Sequence, residues 1–303
     1  MHDLIIIGGG PAGVAAGVYA ARKKIKTLVL AESFGGQSTV SSEIQNWIGT
    51  IALSGSELGK NLEAHLKAYS GDSVEIKKEQ VLSIQQLGER EFQVETSEGK
   101  YTSKAILIGT GSSRRKLTCL GAEQFENKGV VYCATCDGPL FTGKDVAIIG
   151  GGNSAFESAS QLLAYTKSVT LINRSEKFRA DEITVKKMSE LKNFQALPNA
   201  QIKEIKGETF VSSLIYTNTT TDTNIEIPVS GVFVEIGSIP TTQFVDLVDK
   251  NEYGAILIDP MTQRTSLEGI WAAGDCTHGL YHQNNIAVGD GIKALENIYS
   301  YLQ

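Results

Sequence analysis

Cysteine is scarce in this chain, and its scarcity excludes a whole class of protein. Four cysteines in 303 residues are too few for a secreted domain stapled by disulfides. A closed structural zinc site needs four ligands, and no second Cys pair or Cys/His pair stands at matching spacing. Long apolar runs are missing too. Leu4-Ile5-Ile6-Ile7 is far too short to cross a bilayer. No charged stretch precedes it and no cleavage site follows it, so it does not read as a signal peptide and a cytoplasmic address is expected. No basic block offsets the net charge of −6, which argues against a nucleic-acid partner. There is no low-complexity segment. What remains is an ordinary globular composition, 41% hydrophobic and 20% charged, on a chain long enough for two domains.

Glycine is plentiful, with 31 residues, and it is clustered. Leu4–Ile7 reads as a buried parallel strand running into Gly8-Gly9-Gly10-Pro11-Ala12-Gly13. Gly8, Gly10 and Gly13 match the dinucleotide fingerprint, in which glycines permit a tight turn, close approach to a pyrophosphate and close helix–strand packing. Ala12, Ala16, Tyr19 and Ala20 then mark the expected buried face of a helix whose N-terminus suits phosphate. A second strand at 27–30 leads to Glu32, about 20 residues past the last glycine, where a carboxylate takes ribose hydroxyls. Further turns follow at Gly35-Gly36-Gln37, Asn46-Trp47 and Gly109-Thr110-Gly111. Helical spacing of Leu58, Leu62 and Leu66, and strands at 81–86, 92–96 and 101–108, lie between them. The basic run Ser113-Arg114-Arg115-Lys116 is expected to be a solvated linker between domains.

A second fingerprint, Gly150-Gly151-Gly152-Asn153-Ser154-Ala155, follows a strand at 146–149, with alanine in the third position as an accepted variant. After the next strand, 168–172, no acid appears. Asn173-Arg174-Ser175 stands there, with Arg179 further on, and Arg in place of the ribose acid suits a 2′-phosphate. Three antiparallel strands at 200–207, 210–218 and 223–228 precede a buried strand at 230–236. Strands at 256–258 and 269–272 come next, the latter ending in Ala273-Gly274-Asp275. Asp275 at a strand end suits a ribityl or pyrophosphate group. His282-Gln283-Asn284-Asn285 then opens a last helix with Ile292, Leu295, Tyr299 and Leu302 on one face.

Between the fingerprints lies Tyr132-Cys133-Ala134-Thr135-Cys136-Asp137-Gly138. Two thiols at this spacing form a redox disulfide or half of a metal site. As a redox pair, one sulfur attacks a partner disulfide and the other resolves the mixed disulfide. Asp137 is placed to give a proton to a departing thiolate. No metal ligand set is assigned. Cys119 and Cys276 stand alone and are expected as small buried hydrophobes.

Taken together these motifs resemble the low-molecular-weight thioredoxin reductases over essentially the whole chain. Carrying the resemblance are Gly-x-Gly-Pro-Ala-Gly at 8–13, Gly-Gly-Gln at 35–37, Asn46-Trp47-x-Gly49, Cys133-Ala134-Thr135-Cys136-Asp137-Gly138, Gly-Gly-Gly-Asn-Ser-Ala at 150–155 and Ala-Gly-Asp-Cys at 273–276. The flavoprotein component of alkyl hydroperoxide reductase is similar in its C-terminal portion. The resemblance implies an α/β fold of two Rossmann-like domains with three-layer ββα character, the second inserted into the first. An FAD domain would comprise 1–115 and 245–303, and a nicotinamide domain carrying the cysteines 116–244. FAD would lie on Gly8, Gly10, Pro11, Ala12, Gly13, Glu32, Gly36, Gln37, Asn46, Thr110, Gly111, Gly274, Asp275, His282, Gln283 and Asn284. NADPH would lie on Gly150, Gly152, Asn153, Ser154, Ala155, Arg174 and Arg179. The resemblance also implies a homodimer, a swivelling inserted domain and thioredoxin as partner, with Cys136 toward the flavin, Cys133 attacking and Asp137 donating. The chain departs from the family pattern at Asn173-Arg174-Ser175, at His282-Gln283-Asn284 and at Gly237-Ser238-Ile239-Pro240-Thr241. NADH, or a relative without nicotinamide that is fed by ferredoxin or runs as a dithiol oxidase, is therefore the alternative.

Overall fold

The computed structural model describes residues 1–41 and 43–303, which form two compact units. The first comprises residues 1–40, 47–113 and 238–303, and the second 41–46 and 114–237. Strand β1 (His2–Gly9) enters helix α1 (Pro11–Arg22), which starts on a proline at its first position, where a missing N–H costs nothing. Strand β2 (Thr27–Phe34) follows, then a single tight turn at Gly36–Val40 and helix α2 (Gly55–Ser70). Ser54 caps α2, its hydroxyl accepting the Glu57 N–H at 3.1 Å. Strands β3 (Val74–Lys77), β4 (Val81–Gly88), β5 (Glu91–Thr96), β6 (Lys100–Ile108) and the short β7 (Ser112–Arg114) complete this stretch.

The second unit contains β8 (Val130–Val131), the one-turn helix α3 (Ala134–Asp137), β9 (Asp145–Ile149), α4 (Asn153–Leu162) and β10 (Ser168–Ile172). Helix α5 (Glu182–Ser189) and strands β11 (Phe194–Leu197), β12 (Ala200–Gly207), β13 (Val211–Asn218), β14 (Thr223–Pro228) and β15 (Gly231–Val234) follow. The chain then returns to the first unit with β16 (Ser238–Pro240), β17 (Ile270–Ala272) and α6 (Asn284–Leu302).

In the first unit the sheet runs β3-β2-β1-β6-β5-β4, with β17 added to β6. Strands β1, β2, β3, β6 and β17 are parallel. Parallel strands covered on both faces read as continuous apolar runs, and Leu4, Ile5 and Ile6 are fully buried. In the second unit the parallel sheet runs β11-β10-β9-β15-β8. Alternate residues serve its two faces. Val146, Ile148, Val169 and Leu171 pack on Phe156, Ala159 and Leu162 of α4. Ala147, Ile149, Ile172 and Val232 pack with Leu214 and Tyr216 of the antiparallel β12-β13-β14 sheet.

Several sequence expectations need correction. Tyr19 is exposed, while Val14, Val18 and Ala21 join Ala12, Ala16 and Ala20 inside. Residues 256–258 make only isolated bridges, Ile256 to Lys250 and Thr277. The buried face of α6 carries Ala287, Gly291, Ala294, Leu295, Ile298 and Tyr301; Ile292, Tyr299 and Leu302 are half-buried flanks. Close contact with α1 selects that face, since a Cβ on Gly291 would run into the Ala12 carbonyl. Part of the linker at 113–116 is strand β7, paired with β16. Cys119 is half-buried rather than buried.

Candidate active site

Strand β8 delivers the chain to the cysteine pair. Cys133 is still extended, and α3 begins at the next residue. Cys133 and Cys136 are joined as a disulfide with Cα atoms 5.3 Å apart, ordinary disulfide spacing. The Cys136 N–H donates to Cys133 Sγ at 3.1 Å. Such a donor favours a thiolate on that sulfur once the bond is reduced. Thr135 donates its hydroxyl to Gln161 Oε1 on α4 at 3.0 Å. Gly138 lies so close to Leu162 that an added Cβ would approach to 3.1 Å. The redox turn is thus seated on α4.

Asp137 is 6% exposed. Burial pushes its carboxyl up to about 6, while the Arg114 guanidinium and a backbone hydrogen bond from Cys133 pull it back part of the way. A group poised near neutrality can both hold and release a proton. Among the described residues no cluster of three or more His, Cys, Asp or Glu side chains could hold a metal. Cys276 is fully buried, its thiol pushed up to about 11, and it donates to the carbonyls of Ile108 and Ala273. A thiol so placed is inert packing.

The first fingerprint divides its glycines between two jobs. Gly8 has φ +121°, and a Cβ there would strike the Gly109 carbonyl; one on Gly13 would strike the Gly8 carbonyl. These two hold the turn tight. A Cβ on Gly10 would meet nothing within 4 Å, so its open backbone suits a pyrophosphate. Two other expected glycines lie beside this turn. Gly36 lies within 3.6 Å of Gly10 Cα and Gly274 within 3.4 Å of Ala12 Cβ, measured from a built Cβ. Gln37 donates to Ser112 Oγ at 2.9 Å, Ser38 donates to Asn284 Oδ1 at 2.9 Å, and Thr110 donates to the Thr241 carbonyl. Glu32 is exposed within β2, Asp275 is half-buried, and Gly111 has φ +66°. Gln283 is the residue before α6, His282 is exposed, and Asn284 is the helix's first residue rather than loop. Asn46 falls in the 41–46 segment that groups with the second unit. The turn, with its open Gly10 backbone and Gly36 and Gly274 beside it, fits an FAD.

The second fingerprint repeats the division. A Cβ on Gly150 would strike the Glu235 carbonyl, whereas one on Gly152 would meet nothing within 4 Å. Ala155 is buried and Ser154 exposed. Asn153 spends its side-chain carbonyl on the Asp181 N–H at 2.9 Å. Asn173 is buried, donating to the carbonyls of Ser175 and Lys177 at 2.8 and 3.1 Å. It shapes the loop, and it leaves Arg174 and Arg179 exposed, as a 2′-phosphate would require. The Arg179 N–H donates to the Gly151 carbonyl at 2.7 Å, which ties that arginine to the turn. The residues present fit a pyridine dinucleotide.

Three residues of this neighbourhood escape a sequence reading. Arg114 faces Asp137 and Glu235, and Ser158 donates to Glu235 Oε1 at 2.7 Å. Burial pushes the Glu235 carboxyl up, against the pull of Ser158 and Arg114. Neither Glu235 nor Ser158 belongs to a local motif.

Residues 2–291 match the profile of the pyridine nucleotide-disulphide oxidoreductases. An NADH dehydrogenase of Bacillus subtilis is 39% identical over 302 residues, which are 99% of this chain and 58% of that protein. An alkyl hydroperoxide reductase component of Escherichia coli is 38% identical over 304 residues, again 99% and 58%. The chain therefore spans less than two thirds of these curated relatives. Among solved structures, thioredoxin reductase from Giardia duodenalis superposes with a TM-score of 0.92 at 33% identity, covering 99% of this chain and 98% of that one. With a match that runs through both units and thioredoxin reductases as structural neighbours, the chain belongs to the pyridine nucleotide-disulphide oxidoreductase family.

Proposed function

We propose that this chain is an FAD-dependent disulfide reductase that draws on NADPH and reduces a thioredoxin-like protein in the cytoplasm. FAD would be held by the first unit, at the turn around Gly10 with Gly36, Gly274 and the start of α6. NADPH would be held by the second unit, at Gly150–Ala155 with Arg174 and Arg179. Bound there, the two cofactors supply a hydride and a two-electron relay to the disulfide.

The chain's own residues do the rest. After reduction, the Cys133 thiolate attacks one sulfur of the partner disulfide, forming a mixed disulfide and expelling the partner's other sulfur. Asp137 supplies the proton that sulfur takes up. Asp137, now a carboxylate, takes the proton of the Cys136 thiol. Cys136 then attacks Cys133 Sγ, re-forming the Cys133–Cys136 bond and expelling the second partner sulfur, which takes up that proton from Asp137. The partner gains two electrons and two protons, and the pair returns to its oxidised state. One observation carries this reading: a bonded cysteine pair with a buried carboxyl, raised to about 6, one residue away.

A second reading has NADH as the donor. In its favour are the name of the Bacillus subtilis relative, an NADH dehydrogenase, and Ser175 where the family pattern has arginine. The test is anaerobic mixing of the enzyme with NADPH, NADH or reduced ferredoxin while the flavin absorbance is followed. Rapid bleaching by NADPH, then turnover of thioredoxin, is expected. Bleaching by NADH alone selects the second reading. Bleaching by ferredoxin alone, or oxygen uptake with a small dithiol and no thioredoxin turnover, would overturn both.

A further inference from the structure

In the second unit the chain runs from β9 through α4 to β10 and β11 on one side, while β15 and β8 lie on the other. The connections therefore reverse at the β9/β15 boundary. In parallel α/β sheets a dinucleotide spans the crevice at the carboxyl ends of such strands. The fingerprint turn at the end of β9 takes the pyrophosphate, and the loop with Arg174 and Arg179 after β10 takes the adenosine half. The nicotinamide half must then run over the end of β15.

The first residue beyond β15 is Glu235. Its N–H donates to the Ile149 carbonyl at 2.8 Å, and its own carbonyl abuts Gly150 so closely that no Cβ fits there. Its carboxyl is held by the Ser158 hydroxyl, 2.7 Å from Oε1. That leaves Oε2 without a hydrogen bond from the described residues. Arg114 and Glu157 are the charged groups that face it, one of each sign. We propose that Glu235, positioned by Ser158, is the residue of this chain that receives the carboxamide of the nicotinamide. A primary amide offers two N–H donors to an ionised carboxyl and a carbonyl to a protonated one, so the match holds in either state. Glu235 thereby favours the complete dinucleotide over its adenosine half.

This inference rests on the reading of Gly150–Ala155 as a nicotinamide dinucleotide site, and the experiment separates the two. Calorimetry on the FAD-loaded enzyme compares NADP⁺ with 2′-phospho-ADP-ribose, the same molecule without nicotinamide, and NAD⁺ with ADP-ribose. Glu235→Ala is expected to weaken the complete dinucleotide about tenfold, the cost of one hydrogen bond to a charged group, and to leave the truncated ligand unchanged. Glu235→Gln, which keeps an acceptor and a donor, should restore most of the affinity. Equal loss of both ligands, or loss of neither, overturns the proposal and leaves Glu235 as a clamp between α4 and β15. Absence of binding by all four ligands to the unaltered enzyme overturns the underlying site, and Glu235's role with it.

Discussion

Asp137 concentrates the chemistry of the site in one carboxyl. Its folded value of about 6 lies above the ordinary 3.8, so the folded state binds its proton more tightly than the unfolded chain does. The stability this contributes is complete below pH 3.8 and lost as pH rises through about 6. At 1.36 kcal/mol per pH unit, the raised carboxyl costs the fold roughly 3 kcal/mol at neutral pH, an upper figure. Asp137→Asn should therefore unfold at higher urea than the natural chain at pH 8, with little difference at pH 4. Its disulfide reductase rate should fall by about a hundredfold, the usual loss of a general acid. Greater stability with less activity is the signature, and unchanged activity would remove Asp137 from the mechanism. The cysteines divide their roles in a way that substitution reveals. Cys136→Ser should abolish disulfide reduction while FAD stays bound. Cys133→Ser should leave a single Cys136 thiolate, visible as a long-wavelength charge-transfer band if that sulfur faces an oxidised flavin. Full thioredoxin turnover by either variant would sink the assignment.

At the scale of elements, close contact between α1 and α6 decides more than hydrophobic periodicity. Gly291 admits the Ala12 backbone, and Gly274 comes within 3.4 Å of Ala12 Cβ from a built Cβ. The fingerprint helix and the C-terminal helix are therefore locked at the end where the pyrophosphate would lie. Gly291→Val should force the two helices apart at about 1–3 kcal/mol, the usual cost of overpacking. Urea unfolding should report that loss, and FAD should be released at lower denaturant than in the natural chain. Retained stability would mean that the contact can relax. The loop after β10 is a comparable case in the second unit. Asn173 sits where an acid or histidine would touch a ribose, but its side chain is turned to the carbonyls of Ser175 and Lys177. Arg174, the next residue, is left exposed. Arg174→Ala should weaken NADPH by about tenfold and NADH hardly at all, measured as the concentration needed to bleach the flavin; equal effects on both would discard the 2′-phosphate role.

Across the whole molecule, two turns of the same design serve two units. The purified protein should be yellow, with absorbance near roughly 450 nm; a colourless preparation that takes up no added FAD would refute the first site. No helix among the described residues is long and apolar enough to cross a membrane. Chemistry carried by consecutive residues was legible in the chain itself. The glycine turns, the Cys133–Cys136 pair and Asp137 each sit within a few residues of one another, and their spacing dictates their geometry. The three-stranded excursion at β12–β14 was legible for the same reason, because hairpins pair neighbours. What depended on distant residues was not. Tyr19 shares the spacing of a buried face yet lies outside, and the core face of α6 is set by Ala12 at the other end of the chain. Residues 256–258 have strand-like composition, but they make only isolated bridges. Ser158 meets Glu235 because β15 inserts beside β9, and Arg114 faces both carboxyls although it reads as part of a basic linker. Sequence alone determined which groups this protein carries and the local turns that present them. Tertiary packing decided which carboxyls are buried, and so which hold their proton more tightly than a free carboxyl does, because desolvation depends on neighbours that no local pattern records.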